Sequence, residues 1–365
     1  MKKAFFALYI VLLTYASSSV AQSSVTLFGI LDEGVSYTNN IKGSSSTKTA
    51  SGIKWPTYWG IKGQEDLGGG WDAVFNLQDQ FDINSGAMGY GGLLFGRLAI
   101  VGLANKDYGQ VTLGRQSDFM NDFLYLVSDR EQYLTLYSLA PGNLDRIGGG
   151  QLNNSIKYRY GLGTGISLGA MYAFSNSGTG TAANGTARSF ELRYTNQSVR
   201  ALAVYTDIHG VSVAPASSIG SSSFLGYQLG LGASTVVPLN SLSIAALGMS
   251  YTYQKLTGMV TYTNVHMDSV RESGALQTLT LGGIYRFTPA FLLEAGASTS
   301  RLSSSRWNQL VATLDYYLSK GTDIYLTADY EHASGHGQTA ELYMSGGPSS
   351  TGSQAIVRVG VKHYF

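Results

Sequence analysis

The chain has 365 residues, 13% of them charged, a formal net charge of +1 and no cysteine. That balance leaves no basic excess of the kind nucleic-acid binding requires, and the missing cysteines rule out disulfides as a source of stability. Glycine (46) and tyrosine (25) are abundant at an ordinary apolar share, which points to a large β-structure and away from disorder.

In chain order, residues 1–21 have the form of a secretory signal peptide. Lys2 and Lys3 precede the apolar run Ala4–Leu13, and Ser19 and Ala21 offer a small-residue cleavage site. The apolar run is too short to span a bilayer, and no later stretch reaches about twenty apolar residues. The expected mature chain is therefore residues 22–365, a single domain; loss of Lys2 and Lys3 takes its formal charge from +1 to −1.

The dominant signal is a period of two. Val25, Leu27, Gly29, Leu31 and Val35 alternate with Thr26, Phe28, Ile30, Asp32 and Ser36. The pattern recurs through Ile166–Phe174, Phe190–Tyr194, Leu279–Phe287, Leu310–Leu318 and Ile324–Tyr330. It closes with Val357, Val359, Val361, His363 and Phe365 opposite Ile356, Arg358, Gly360, Lys362 and Tyr364. Short connections (Asp66–Gly70, Thr288–Ala290, Ser319–Thr322) alternate with longer polar ones (Thr38–Gly52, Ser175–Ala187, His209–Ser222, Gln254–Ala275, His332–Ser353). Such asymmetry suits a transmembrane antiparallel β-barrel, and about sixteen strands can be counted, with Phe365 returning near Val25 to close the sheet. In lipid every backbone polar group must be paired, so an open sheet edge is excluded.

The stretch from Gly109 to Tyr160 breaks the alternation. Between the strands Val111–Arg115 and Asn154–Tyr160 lie some thirty residues without a period of two. A loop of that length inside a meander is usually functional. It is expected to fold into the lumen over residues 117–150 and to set the size and charge of a pore.

If apolar side chains face lipid, parity gives the inward list. Ile53, Trp55, Thr57, Trp59 and Ile61 would face out, leaving Lys54, Pro56, Tyr58, Gly60, Lys62 and Gln64 inward. Leu98 and Ile100 would face out, with Arg97 in the lumen. Lys157, Arg159, Glu191, Arg193, Arg286, Asp315, Asp329, Arg358 and Lys362 follow the same rule. A lipid-facing Arg or Lys costs roughly 2–4 kcal/mol at the midplane, which gives these placements energetic weight. Arg115 shares the outward face of Val111 and Leu113 and is not expected in the pore.

At this point the residues resemble those of the Gram-negative general-diffusion porins of the beta-proteobacterial type. The resemblance rests on Ser24–Asp32, Trp59–Gly70, Leu94–Arg97, Gly109–Gln116, Asn153–Tyr158, Tyr317–Asp323 and Val357–Phe365, in family order along the chain. It implies a sixteen-stranded barrel, a homotrimer, and a third loop folded into the channel with its carboxylates facing basic wall residues. Carried over by position, the constriction wall would be Arg97, Lys62, Tyr58 and Arg146, with Lys157 and Arg159 added by parity. The loop acids would be Asp118, Asp122, Asp129 and Glu131, and Phe365 would close the barrel and signal to the assembly machinery. Tyr58 and Lys62 stand where many members carry arginine, and the loop segments Phe123–Val127 and Tyr133–Tyr137 are unusually aromatic.

Other chemistries find little support. His332 and His336 lie in a glycine-rich loop and not on a helix, so they do not form a metal face. No serine motif accompanies the five scattered histidines, and no helix follows Gly161–Gly165 to cradle phosphate. The expected activity is passive diffusion of small hydrophilic solutes through a weakly charge-selective, anion-leaning channel without cofactor. A solute-selective channel (for sugars or organic anions) and an adhesion barrel are the alternatives. Outer-membrane lipid and lipopolysaccharide complete the expected partners.

Overall fold

The computed structural model describes residues 24–128, 131, 135–175, 185–230 and 235–365. The expected signal peptide and Asp129 lie outside them. The strands are β1 (Ser24–Ile41), β2 (Ser44–Ser51), β3 (Tyr58–Gly68), β4 (Trp71–Gln80), β5 (Leu98–Asn105), β6 (Gly109–Ser117), β7 (Gln151–Gly161), β8 (Ile166–Ala173), β9 (Ala187–Thr195) and β10 (Val199–Val213). A small hairpin, β11 (Ser223–Phe224) and β12 (Tyr227–Gln228), follows. Then come β13 (Val237–Tyr253), β14 (Leu256–Ser269), β15 (Ser273–Thr288), β16 (Phe291–Leu302), β17 (Ser305–Tyr317), β18 (Thr322–Ser334) and β19 (Ser353–Tyr364).

Apart from that hairpin, the strands form one antiparallel sheet, and β1 pairs with β19 to close it. Gly29 and Phe365 exchange backbone hydrogen bonds of 3.0 and 3.1 Å at the seam, so no ladder edge is left open there. Gly29 has to be glycine, because a Cβ would lie 2.5 Å from the Phe365 ring. β2 and β3 run end to end along β1, so the wall has sixteen strands.

Three sequence expectations are corrected here. Thr38–Gly52 and Gln254–Ala275 are not long loops. β1 and β2 extend to a two-residue turn at Lys42-Gly43, and Leu256–Ser269 is a wall strand. Polar side chains interleave with the apolar ones in both stretches, and in the second the hydroxyls of Thr261 and Thr263 are buried on the inward face of the wall strand. Ile53, Trp55 and Thr57 do not face lipid either. Six residues, Gly52 to Thr57, stand opposite only Leu31 and Asp32, so the second wall strand bows out of the sheet into the lumen. Asp32 holds this excursion: its Oδ2 accepts the amides of Lys54 (2.6 Å) and Trp55 (3.2 Å), and its carbonyl accepts the Gly52 amide. Finally, Leu98 and Ile100 line the lumen, while Val101 and Leu103 are exposed on the outer wall.

The lumen is not a uniform water-filled tube. The inward faces of β10 and β13–β15 carry a band of apolar side chains among their hydroxyls, with Leu202, Val204, Leu242, Ile244, Met259, Val265 and Leu276 buried. Phe119, Phe123, Leu126, Leu139 and Leu144 of the segment between β6 and β7 pack against them in one continuous core. Each such side chain contributes about 1.5–3 kcal/mol by leaving water. The loop is therefore held by burial on one side of the barrel, and the open space is confined to the other side.

Candidate functional site

The segment between β6 and β7 enters the lumen through a short 3-10 turn, Phe119–Tyr125, capped by Asp118, whose side chain accepts the Met120 amide. Asp118 is fully buried and pairs with Arg146 Nε at 2.6 Å, while Arg146 Nη2 donates to the Gly150 carbonyl. Arg146 and Asp118 thus staple the two ends of the loop together. Neither belongs to the wall or the acid row expected of them, because the short chain distance across the loop base brings them to each other. Glu131 also leaves the expected row: it pairs with Arg286 at 2.6 Å on β15. Thr135 Oγ1 donates to Asp329 Oδ1 (2.9 Å) and Tyr137 Oη to Ser36 Oγ (2.8 Å), fixing the far end of the loop.

The open sector lies between the front of this loop and β3–β7. A cavity of about 250 Å³ is lined there by Gln78, Arg97, Gln116, Asn121, Asp122, Tyr125, Gln151, Lys157 and Arg159, among others. Arg97 Nε donates to Gln78 Oε1 at 3.0 Å, and its guanidinium lies 4.4 Å from the Tyr58 ring centroid. Lys62 sits 4.9 Å over the Phe28 ring, nearer the short-turn rim. Lys157 Nζ donates to the Ser117 carbonyl (2.7 Å) and lies over the Phe119 ring. None of these three cations makes an ion pair among the described residues.

Asp122 meets two wall arginines, accepting hydrogen bonds from Arg159 and Arg193. Arg193 also reaches Glu191 at 3.0 Å, and Arg159 lies 3.4 Å from it. Burial opposes ionisation of Asp122, but Arg159, then a hydrogen bond with Glu191, then Lys157 and Arg193, outweigh it and hold the carboxyl below its usual range. Two acids and two arginines therefore compensate one another. Arg193 escaped the sequence-derived site because its parity marked it only as one of many inward charges. Gln78, Gln110 and Gln116 were equally legible by parity but carried no charge to single them out.

Other inward charges prove to be structural. Arg358 pairs with Asp32 at 3.6 Å and Lys362 with Asp323 at 3.3 Å, all four fully buried behind the loop. Lys54 of the excursion pairs with Glu294 of β16. Arg115 points outward, bonded to the Gly96 carbonyl and Asn153 beside the Tyr90 ring.

A family model described as Gram-negative porin matches residues 7–336. The chain belongs to the Gram-negative porin family. The outer membrane porin protein 32 of Delftia acidovorans is 27% identical over the full length of both chains. An outer membrane porin protein of Bordetella pertussis is 28% identical over 206 residues, 50% of this porin and 53% of that chain. This porin thus spans about half the length of the Bordetella relative.

Among solved structures, an anion-selective porin from Comamonas acidovorans superimposes with a TM-score of 0.77 at 21% identity, covering 94% of this porin and 100% of that chain. OmpT of Vibrio cholerae, folded in vitro and in its trimer form, gives 0.66 at 14% identity, covering 94% and 99%. These likenesses carry the fold. The porin is an outer-membrane channel whose long connections stand on the extracellular side and whose short turns face the periplasm.

Proposed function

We propose that the porin passes small hydrophilic solutes by diffusion along the open, eccentric sector of its lumen and weakly favours anions. The observation that carries this reading is the charge balance along that sector. Among the described residues Lys62, Arg97 and Lys157 make no ion pair, although Asp122 acts on Lys157 through space, whereas Arg159 and Arg193 are paired with Asp122 and Glu191. Charges of one sign beside a narrow wet gap with low-dielectric walls concentrate the opposite ion. Residues 117–150 act as the constriction loop, with Asp122 as its one pore-facing acid among the described residues expected to serve there.

Single-channel recording in planar bilayers under a KCl gradient tests this. A linear, unsaturable current with a modest anion-side zero-current potential is expected. Current blocked by one particular solute would favour a selective channel instead, for which the amide-rich lining of Gln78, Gln116, Asn121 and Gln151 is the supporting feature. Absence of conductance would sink both.

The working unit in this reading is a homotrimer. The outward carboxylates of Glu33 and Asp79, the latter accepting the Trp59 indole at 3.3 Å, suit contact with another subunit better than lipid. The residues before the barrel act as a cleaved signal peptide, and Phe365 presents the terminal strand to the barrel-assembly machinery.

A further inference from the structure

The lumen loop presents two surfaces at its entry turn. Asn121, Asp122 and Tyr125 line the open sector, whereas Phe119, Phe123 and Leu126 are buried against the wall. Two wall glycines lie under those buried side chains. A Cβ on Gly169 of β8 would stand 2.4 Å from Cζ of Phe119. One on Gly248 of β13 would stand 2.8 Å from Cε1 of Phe123 and 2.9 Å from Cδ2 of Leu126. Carbon atoms in contact prefer about 3.5–4.0 Å, so a methyl group fits at neither place without moving the loop. Neither glycine has a positive φ. Each is needed for the room it leaves and not for its backbone.

Register ties the first of these seats to the ionic cluster. Gly169 is the direct cross-strand partner of Arg159 on one side and of Glu191 on the other. The wall therefore has a notch between an arginine and a glutamate, and the Phe119 ring fills it. The centroid of that ring lies 4.5 Å from Lys157 Nζ and 5.2 Å from the Arg159 guanidinium. The backbone of the turn is fastened to the wall as well. The Phe119 amide donates to Ser189 Oγ (3.3 Å), and the carbonyls of Tyr125 and Leu126 accept from Arg200 (2.9 Å) and Ser250 (2.6 Å). With wall behind the turn and water in front of it, thickening a seat drives the turn toward the pore.

We propose that Gly169 and Gly248 are positioning residues that set the calibre of the channel from behind the loop, and that Gly169 also sets where Lys157 and Arg159 stand. The notches let the aromatic anchors settle at the level of the wall backbone. The free cross-section is what remains between Asp122, Tyr125 and the strands that face them. One methyl group in a seat is felt at the pore because a close-packed interior does not absorb it. The proposal rests on the reading that the open sector carries the current.

The test records single-channel conductance, the zero-current potential in a KCl gradient and the exclusion of graded polyethylene glycols for full-length porin in planar bilayers. Gly169→Ala and Gly248→Ala should each lower conductance by on the order of twofold and lower the polymer size that is excluded. Gly169→Ala should also shift the zero-current potential, whereas Gly248→Ala should leave it in place. Returning the volume, in Gly169→Ala/Phe119→Leu and Gly248→Ala/Phe123→Leu, should restore both conductance and polymer cut-off. That recovery separates a seat from an ordinary packing position. Should one alanine variant fail to fold, the other and its compensated double decide. Conductance equal to the parent's in a folded alanine variant would overturn the proposal, as would a loss that the compensating leucine does not recover. A zero-current potential that Lys157→Met does not move would overturn the reading of the open sector, and the proposal with it.

Discussion

The backbone amide of Leu136 donates to the carbonyl oxygen of Ile53 at 2.8 Å, joining the lumen loop to the inward bow of the second wall strand. Two contacts flank this bond. The Trp55 and Tyr125 rings lie 6.0 Å apart between centroids, and Lys54 reaches across to Glu294 on β16, which is not a sheet neighbour of β2 or β3. The bow thus braces the loop from the side opposite to its apolar core.

The ion pair in this brace is fully buried, so removing one partner leaves the other charged and unpaired. Lys54→Met is expected to cost about 3–5 kcal/mol, and Lys54→Met combined with Glu294→Gln markedly less. Denaturant unfolding of the refolded barrel measures both. Equal losses in single and double variants would show that the pair contributes nothing beyond its packing.

Pore cations and buried cations should separate cleanly. Arg97→Ala and Lys157→Met are expected to move the zero-current potential toward cations, lowering the anion-to-cation permeability ratio by on the order of twofold. Lys362→Met should leave that potential in place and lower stability, because its partner Asp323 is buried with it. Reversal potentials in a salt gradient, recorded for all three, decide whether the open sector carries the current.

Asp122→Asn leaves Arg159 and Arg193 without the loop carboxylate and should raise anion selectivity. The folded carboxyl titrates below its ordinary value of 3.8, so its contribution is present above that value and is lost only as pH falls through the lower, folded one. The difference between parent and variant should therefore persist from pH 7 down to about pH 4 and close only below. A difference that vanished near neutrality would contradict the two-arginine clamp.

Asp145 gives the opposite sign. Burial pushes its carboxyl up to about 6, against the partial help of the Ile147 amide and the Thr263 hydroxyl. The protonated form fits the apolar core, so loop docking is fully supported below about pH 4 and weakens as pH rises through about 6. Asp145→Asn should remove this dependence and gain on the parent by roughly 2–3 kcal/mol between pH 4 and pH 7.5. Thermal unfolding at the two pH values checks it.

The wall was legible in the sequence because lipid enforces alternation: Leu310, Leu314 and Tyr316 face out, and Gln309, Thr313 and Asp315 face in. The same rule failed wherever the lumen is itself apolar. Leu242 and Ile244 are as hydrophobic as the outward Leu247 and Met249, because the loop supplies a second dry surface inside. Parity also assigned Leu98 and Ile100 to lipid, although they line the pore. The pairing of Arg146 with Asp118, and of Glu131 with Arg286, depends on how an aperiodic loop folds back on itself. No spacing in the chain encodes that.

The bow at Gly52–Thr57 adds four residues to its strand, an even number. Side chains in a strand alternate faces, so an even insertion leaves everything beyond it correctly oriented. Lys62 consequently still looks into the channel and Ile61 still meets the outer surface. Length variation at this point is therefore quantised in pairs. Homologues or engineered variants can shorten or lengthen the bow by two or four residues, whereas a single deletion would turn β3 inside out.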